Sequence, residues 1–208
     1  MVKNILFDFD GVILDSMPIR EFGFSEIFQS YKKEDVAKLL VFHNQNGGWS
    51  RFVKIRYFYE NILNQNILDS EVQIYAEKFS QIMRKELVNK KYLISETVQF
   101  LDWAESKYNL HIVSGSEDKE LNYLCEKLDV AKYFQTISGS PTKKIILVQN
   151  ILEKFRYKKS ETILIGDSIN DFEASKENNI KFYGFNNLEL NKFSYIHKFQ
   201  DFKKKLEN

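Results

Sequence analysis

The second half of the chain alternates short apolar runs with longer amphipathic segments, and this alternation limits the possible folds more than any other feature. Each apolar run has the length of a buried strand, and the segments between them carry apolar residues at helical spacing. Strands that alternate with helices of about 10–15 residues form parallel α/β sheets. We therefore predict strands at 110–113, 134–137, 162–165 and 181–185, with helices at 97–108, 144–155 and 170–178.

Another apolar run, residues 4–7, precedes a stretch of different character. From residue 15 to about residue 90, aromatic and charged residues mix at helical spacing, and the clearest break is the turn signal at 44–48. The simplest arrangement is an α/β core with a helical insertion after its first strand. We predict a Rossmann-like three-layer core with a parallel sheet, formed by residues 1–15 and 91–208, and a small all-helical cap domain of residues 16–90.

Composition and charge argue against several kinds of partner. The chain has 30 Lys and Arg against 29 Asp and Glu, a net charge of +1, which gives no case for binding nucleic acid or an acidic membrane surface. No apolar run approaches the roughly 18 residues of a membrane span. A single cysteine, Cys125, fits a reducing compartment. We expect a cytoplasmic protein with no nucleic-acid or membrane partner, and the sequence leaves the oligomeric state open.

Carboxylates follow two of the predicted strands. Asp8 and Asp10 leave the first strand, while Asp167 follows the strand at 162–165 and Asp171 comes four residues later. An acid in the first turn of a helix, such as Asp171, also has an ordinary capping explanation. Ligands of open α/β sheets bind at the carboxyl ends of the strands, and clustered carboxylates repel one another unless a cation is present. Oxygen donors of this kind suit Mg²⁺.

Other polar groups come after the remaining strands. Ser114 and Gly115 follow a predicted strand in what we interpret as a turn, where a hydroxyl and backbone amides can donate to an anion. Lys143 and Lys144 open a predicted helix, where an ammonium group runs against the helix dipole. That placement favours a carboxylate or a bound anion beside the lysine.

Taken in chain order, these residues resemble the motifs of the haloacid dehalogenase superfamily of aspartyl phosphotransferases. The first motif, D-x-D-x-[TV]-[LVI], matches residues 8–13, and the fourth, G-D-S-x-x-D, matches residues 166–171. Ser114 matches the second motif, and Lys144 or Lys143 matches the third, with Lys144 preferred from the spacing of the helix. The resemblance covers the whole core. Its helical insertion is similar to that of phosphoglycolate phosphatases and β-phosphoglucomutases.

This resemblance implies a role for each matched residue. Asp8 would be the nucleophile that forms an aspartyl-phosphate, and Asp10 would be the general acid and base. Mg²⁺ would be held by the Asp8 side chain, the Asp10 backbone carbonyl and Asp167. The remaining residues would hold the phosphoryl oxygens (Ser114, Gly115 and Lys144) or would support the metal or orient the lysine (Asp171).

The second aspartate of the first motif narrows the activity that the resemblance implies. Dehalogenases and phosphonatases of the family lack it, so Asp10 favours phosphatase or phosphomutase chemistry. We therefore expect a phosphoric monoester hydrolase. A phosphomutase of the same fold stays open because the motifs do not separate the two, and a non-catalytic relative is the third alternative.

The loop at 43–51 is the candidate for substrate recognition, because the resemblance places such a loop over the phosphate. Arg51 could pair with a substrate anion through two hydrogen bonds, and His43 or Asn46 could recognise hydroxyl groups. The alternative is an ordinary loop between helices with a surface arginine. The small cap predicts a small phosphorylated metabolite as the substrate, such as a sugar, polyol or aminoalcohol phosphate.

Overall fold

The computed structural model describes residues 1–207, and its centre is a six-stranded parallel sheet. The strand order is β3-β2-β1-β4-β5-β6, so β1 and β4 lie in the middle. The predicted parallel α/β fold is confirmed. The strands are β1 (Asn4–Phe7), β2 (Asn109–Glu117), β3 (Thr136–Ser140), β4 (Thr162–Gly166), β5 (Lys181–Phe185) and β6 (Tyr195–Ile196).

Helices cover both faces of this sheet, and β1 shows why. Ile5 and Phe7 belong to the larger apolar cluster on one face, whereas Leu6 belongs to a second cluster on the other. A strand that is apolar at successive positions must be buried on both sides. The covering helices are α5 (Ser95–Ala104), α6 (Asp118–Lys127), α7 (Lys144–Lys154), α8 (Ile169–Glu177) and α9 (Phe199–Glu207).

The chain between β1 and α5 folds into helices that pack around aromatic side chains. Four phenylalanines are buried there: Phe24, Phe28, Phe58 and Phe79. The ring centroids of Phe28 and Phe58 are 4.2 Å apart, and those of Phe24 and Phe79 are 4.5 Å apart. These helices are α1 (Met17–Ile27), α2 (Lys33–Gln45), α3 (Arg51–Tyr57), which continues as a π-helix over Phe58–Ile62, and α4 (Asp69–Glu86).

The two chain segments that join the helical segment to the sheet run side by side. The backbone N–H of Asp15 donates to the carbonyl of Tyr92 at 2.8 Å, and the N–H of Ile94 donates to the carbonyl of Ile13 at 2.9 Å. This pairing lies next to the carboxyl end of β1. It holds the helices α1–α4 over the edge of the sheet at which the candidate site residues were predicted.

Two local predictions need correction, and one strand was not predicted. Ser114 and Gly115 do not lie in a turn after β2, because β2 continues to Glu117 with an irregular register to β3. The short strand β6 lacks the length of apolar sequence that would have predicted it. The charged C-terminal sequence FQDFKKKLEN predicts a solvated final helix, but the helix formed there, α9, buries Phe199, Phe202 and Leu206. Among residues 1–207, no helix is both long and apolar enough to cross a membrane.

Candidate active site

The turn after β1 places Asp8 at the bottom of a cavity between the sheet and the helical segment. Asp8 is 2% exposed, and its Oδ1 accepts a hydrogen bond of 2.7 Å from the N–H of Phe9. Gly11 has a φ of +73°, and a Cβ there would lie 1.9 Å from Oδ2 of Asp167. Only glycine therefore allows the β1 turn to approach the carboxylate that follows β4.

Three carboxylates meet at the ends of the central strands. One oxygen each from Asp8, Asp167 and Asp171 lies within 4.8 Å of the others. Burial and the neighbouring Asp171 raise the pKa of Asp8 to about 7, against the lowering effect of Lys144. Burial and the charge of Asp8 also raise the pKa of Asp167 well above its usual range. Because negative charge is in excess and all donors are carboxylate oxygens, the cluster fits a hard divalent cation.

Lys144 is the cation of this cluster. Its Nζ lies 3.0 Å from Oδ1 of Asp8 and also donates to Oδ1 of Asp171. Burial would lower the pKa of Lys144, but Asp171 and Asp8 outweigh it and raise the pKa above its usual range. Lys143 is exposed at the N-cap of α7. Of the two lysines left open by the sequence, the structure brings Lys144 to the carboxylates.

Asp171 serves local structure and the cluster at once. Its second oxygen accepts hydrogen bonds from the N–H and the hydroxyl of Ser168, at 3.0 and 2.6 Å, so it caps α8. A Cβ on Gly166 would lie 2.3 Å from the Asp171 side chain, which explains the glycine before Asp167. With both oxygens engaged by Lys144 and Ser168, Asp171 is placed to orient the lysine.

Asp10 points away from the carboxylate cluster and towards the helical segment. Oδ1 of Asp10 accepts hydrogen bonds from Nε of Arg20, at 2.6 Å, and from the Ser16 hydroxyl, while Oδ2 accepts one from Ser116. Burial would raise the pKa of Asp10, but the Arg20 guanidinium and the Ser116 and Ser16 hydroxyls hold the pKa below its usual range. This geometry engages both carboxylate oxygens of Asp10 and keeps the side chain ionised.

The end of β2 brings two more predicted residues to the cavity. Ser114 and Gly115 line it together with Ser116, and the Ser114 hydroxyl accepts a hydrogen bond of 3.1 Å from the N–H of Ser116. A Cβ on Gly115 would lie 2.3 Å from the carbonyl oxygen of Gly48. The same oxygen accepts a hydrogen bond of 2.8 Å from Nδ2 of Asn170. The loop between α2 and α3 therefore rests directly on β2 and α8.

Arg51 lines the cavity, but its guanidinium is already paired. Its Nη1 and Nη2 donate to the two oxygens of Glu120 at 2.5 and 2.7 Å, and Nη1 also donates to the hydroxyl of Ser80 at 2.6 Å. The ring of Phe79 packs against it, with Cζ 4.6 Å from the ring centroid. Arg51 is thus a buried residue that joins α3 to α6, and it differs from the surface arginine of the alternative interpretation.

The other two residues predicted in this loop lie in different places. His43 is buried and lines the cavity, with its Nδ1 2.8 Å from Nζ of Lys54. Burial, helped by the charge of Lys54, lowers the pKa of His43 far below its usual range. Asn46 donates to the carbonyl of Phe42 at 2.9 Å and lines a separate surface pocket, so the structure does not bring it to the carboxylates.

Sequence reasoning missed three charged or polar residues that line the cavity and a fourth that pairs with its arginines. Ser116 had a usable signal, since it lies two residues after Ser114 and alternate residues of a strand share a face. The other three residues carry no such signal in the sequence. A charged residue in a helical pattern is assigned to the surface unless its partner in the folded structure is known. They are Arg20, Lys54 and Glu120. Glu120 forms ion pairs with both Arg20 and Arg51.

Fold and site together define a class of enzyme: a parallel α/β core with helices inserted after its first strand, and a buried lysine among carboxylates at the strand ends. Residues 5–185 match the model of the haloacid dehalogenase-like hydrolases. The chain belongs to this family, as its motifs predicted, and the prediction of a hydrolytic enzyme is confirmed.

Named relatives agree with this assignment. The chain is 24% identical to phosphoglycolate phosphatase of Vibrio parahaemolyticus over 184 residues, covering 84% of this chain and 79% of the relative. It is 22% identical to the phosphorylated carbohydrates phosphatase of Thermotoga maritima, covering 88% and 85%. The structure of β-phosphoglucomutase from Clostridium difficile has the same fold, with a TM-score of 0.76, 16% identity and coverage of 99% and 97%. These relatives support the predicted phosphatase and its branch of the family.

Proposed function

We propose that the protein is a Mg²⁺-dependent phosphatase that hydrolyses a small phosphate monoester through an aspartyl-phosphate on Asp8. The observation that carries the proposal is the placement of Lys144 between Asp8 and Asp171 at the carboxyl ends of the central strands. A fixed ammonium group at this point can neutralise charge on a transferring phosphoryl group. The names of the curated relatives, all phosphatases, support the same activity.

In the first half of the reaction, an oxygen of Asp8 attacks phosphorus and the bond from phosphorus to the ester oxygen breaks. Lys144 and the hydroxyl of Ser114 are the groups proposed to hold the phosphoryl oxygens during this step. The leaving alkoxide takes a proton from Asp10, which is ionised in the free enzyme and takes up this proton as the substrate binds. The negative charge of a bound phosphate raises the pKa of a nearby carboxyl, which opposes the effect of Arg20 on Asp10.

In the second half, water attacks the phosphorus of the aspartyl-phosphate, the bond from phosphorus to the Asp8 oxygen breaks, and phosphate leaves. Asp10 accepts the proton of the attacking water, a task for which its ionised form is ready. Ser16, Arg20 and Ser116 hold the Asp10 carboxylate in one orientation on the cavity side of the turn. They are positioning residues for this proton transfer.

Mg²⁺ fits the site because all candidate donors are oxygens. The side chains of Asp8 and Asp167 and the backbone carbonyl of Asp10 are proposed to hold it, and when bound it offsets the repulsion between Asp8 and the substrate phosphate. Nδ2 of Asn187 donates to the Asp167 carbonyl at 2.8 Å and fixes the start of the loop that carries this ligand. Asp171, already engaged by Lys144 and Ser168, is proposed to act on the lysine.

A small metabolite is the proposed substrate, because residues of the helices α1–α4 line the same cavity as Asp8 and leave little room above it. Sugar and polyol phosphates belong to this class, and one relative is named for phosphorylated carbohydrates. The proposed location is the cytoplasm, for which the single buried thiol, Cys125, is suited.

A phosphomutase is the second candidate, since the fold of a β-phosphoglucomutase is similar to this one. The two activities differ in whether the aspartyl-phosphate is passed to water or to a second hydroxyl group. A requirement for a sugar bisphosphate during turnover would favour the mutase.

A phosphate-release screen tests the proposed function. The purified chain is assayed against a panel of phosphorylated metabolites and an aryl phosphate, with Mg²⁺ and with a chelator in its place. We expect Mg²⁺-dependent release from at least one small monoester and none in the chelator. Hydrolysis that is equally fast in the chelator would contradict the metal, and no hydrolysis of any monoester would contradict the phosphatase.

A further inference from the structure

Lys54 is a buried cation of the helical segment with no carboxylate partner among the described residues. Its Nζ lies 2.8 Å from Nδ1 of His43 and 3.3 Å from the carbonyl oxygen of Gly47, and the residue is 2% exposed. A buried charge without an opposite charge nearby is unfavourable. Burial and the Arg20 guanidinium accordingly lower the pKa of Lys54 to about 7. Lys54 therefore lies at a position where a bound anion would stabilise its charged form.

Two further donors beside Lys54 have no hydrogen-bond partner within residues 1–207. They are Nε2 of His43 and Nη2 of Arg20, both on buried side chains. A protonated Lys54 can only donate, so it requires Nδ1 of His43 as the acceptor; the proton of the neutral ring then lies on Nε2, which makes that atom a donor as well. Buried donors without acceptors carry a free-energy penalty that a bound oxygen removes.

The other cations of the cavity are already neutralised by the protein. Arg51 is paired with Glu120, and Arg20 is shared between Asp10 and Glu120. When Lys54 is protonated, the helical side of the cavity therefore has one positive charge in excess, that of Lys54. Arg20, His43 and Lys54 all line the cavity that also holds Asp8.

We propose that Arg20, His43 and Lys54 form a subsite for a carboxylate of the substrate, distal to the phosphate that Asp8 attacks. This inference rests on the proposed phosphatase function and narrows its substrate class to small phosphorylated acids. A carboxylate supplies oxygen acceptors for the three donors, and its single charge matches the single excess charge. A second phosphate would bring more negative charge than the subsite can neutralise, and the amine of an aminoalcohol phosphate would be repelled.

Three substrates that differ only in the distal group test the subsite. They are 2-phosphoglycolate, with a carboxylate; 2-hydroxyethyl phosphate, with a hydroxyl; and ethanediol bisphosphate, with a second phosphate. Values of kcat/KM are measured with the Mg²⁺-loaded enzyme, beside an aryl phosphate as a reference. We expect 2-phosphoglycolate to be preferred over 2-hydroxyethyl phosphate by about tenfold or more, the effect of a hydrogen bond to a charged group.

The variant Lys54→Met keeps the length of the side chain and removes the charge. We expect the preference for 2-phosphoglycolate over 2-hydroxyethyl phosphate to fall about tenfold in this variant. His43→Phe, which removes the Nε2 donor from a ring of similar size, should lower the same ratio and serves if Lys54→Met does not fold. Lys38→Met, at an exposed lysine on α2 that pairs with Asp35, is the matched control and should keep the wild-type ratio.

The outcomes separate this inference from the proposed function. If the hydroxyl substrate is hydrolysed as well as the acid, or if Lys54→Met and His43→Phe keep the preference, the subsite is wrong and the phosphatase stands. If ethanediol bisphosphate is preferred and Lys54→Met removes that preference, the distal group is a phosphate and the carboxylate assignment is overturned. If no substrate is hydrolysed, the aryl phosphate included, the phosphatase proposal itself fails.

Discussion

At the scale of single residues, the two aspartates of the β1 turn have opposite surroundings. Asp8 lies among other carboxylates, and its pKa rises to about 7 through burial and Asp171. Asp10 lies beside Arg20, which overcomes the effect of burial and holds its pKa below the usual range. Residues only two positions apart thus face different partners, because one points to the sheet end and the other to the helical segment. A cation bound at the carboxylate cluster, as proposed, would hold Asp8 in the ionised form that attacks phosphorus, and the ionised form of Asp10 is the one that accepts a proton from water.

Asp10→Asn removes the group that exchanges the proton and leaves Asp8 in place. We expect a loss of kcat by about 10²–10⁴-fold with alkyl phosphates, the usual contribution of a general acid or base. An aryl phosphate needs less protonation of its leaving group, so its phosphorylation step should slow much less. Burst kinetics with both substrates check this expectation, and equal losses in the two phosphorylation steps would contradict the acid role.

At the scale of elements, the strands β1, β4 and β5 were predictable because each carries a local apolar run bounded by polar residues. The polar Ser-Gly-Ser end of β2 hid the continuation of that strand, which depends on the neighbouring β3. The motif aspartates were predictable from their place after the strands. The Arg20 and Lys54 contacts were not, since they depend on how α1 and α3 lie over the sheet.

The contact between the α2–α3 loop and β2 leads to a test with two glycines. Gly115→Ala would place a Cβ 2.3 Å from the carbonyl oxygen of Gly48, so the loop must lift from the sheet. We expect kcat/KM to fall by about tenfold to a hundredfold, as small displacements of catalytic groups do.

Gly47→Ala is the matched control for this loop. Its Cβ would contact only the Met17 side chain, at an ordinary 3.7 Å, so we expect activity close to that of the wild type. Steady-state kinetics of the two variants give the comparison. Wild-type kinetics for Gly115→Ala, or an equal loss for both, would show that this close approach does not position the cap loop.

The C-terminal helix α9 offers a test of stability that should leave the chemistry intact. Phe199 is 1% exposed, with its ring centroid 4.6 Å from that of Phe100 and 4.8 Å from that of Phe185. We expect Phe199→Ala to lower the free energy of unfolding by about 3–5 kcal/mol. Denaturant titration measures this, with the exposed Gln200→Ala as a control. A change below about 0.5 kcal/mol, typical of a surface site, would refute the buried face of α9.

At the scale of the whole molecule, burial of histidines links stability to pH. His111 lies on β2, fully buried, and burial together with the charge of Lys154 lowers its pKa to about 4. The unfolded chain binds a proton at this residue below about pH 6.5, while the folded chain does not until about pH 4. The stability contributed by neutral His111 is therefore present above pH 6.5 and is lost as the pH falls towards 4.

We expect the free energy of unfolding to decline through this window with a contribution from His111 of up to about 1.4 kcal/mol per pH unit. His111→Gln should reduce the slope by about one proton, as measured by denaturant titrations at several pH values. The exposed His197 offers the matched control, His197→Gln. A slope that is the same in His111→Gln and in the wild type would contradict the pKa assigned to the buried ring.

The fold, the site and the family lead to one central proposal for the whole molecule: during turnover, the phosphoryl group is bonded to the Asp8 carboxylate. The most direct measurement is acid quenching of the Mg²⁺-loaded enzyme during turnover, followed by mass spectrometry of the peptide that contains residues 8–10. We predict a transient mass increase of one phosphoryl group on Asp8 in the wild type. We predict no such adduct and no turnover in Asp8→Asn, which should keep its fold by circular dichroism. Turnover by Asp8→Asn at the wild-type rate, or rapid wild-type turnover with no adduct at any quench time, would contradict the account.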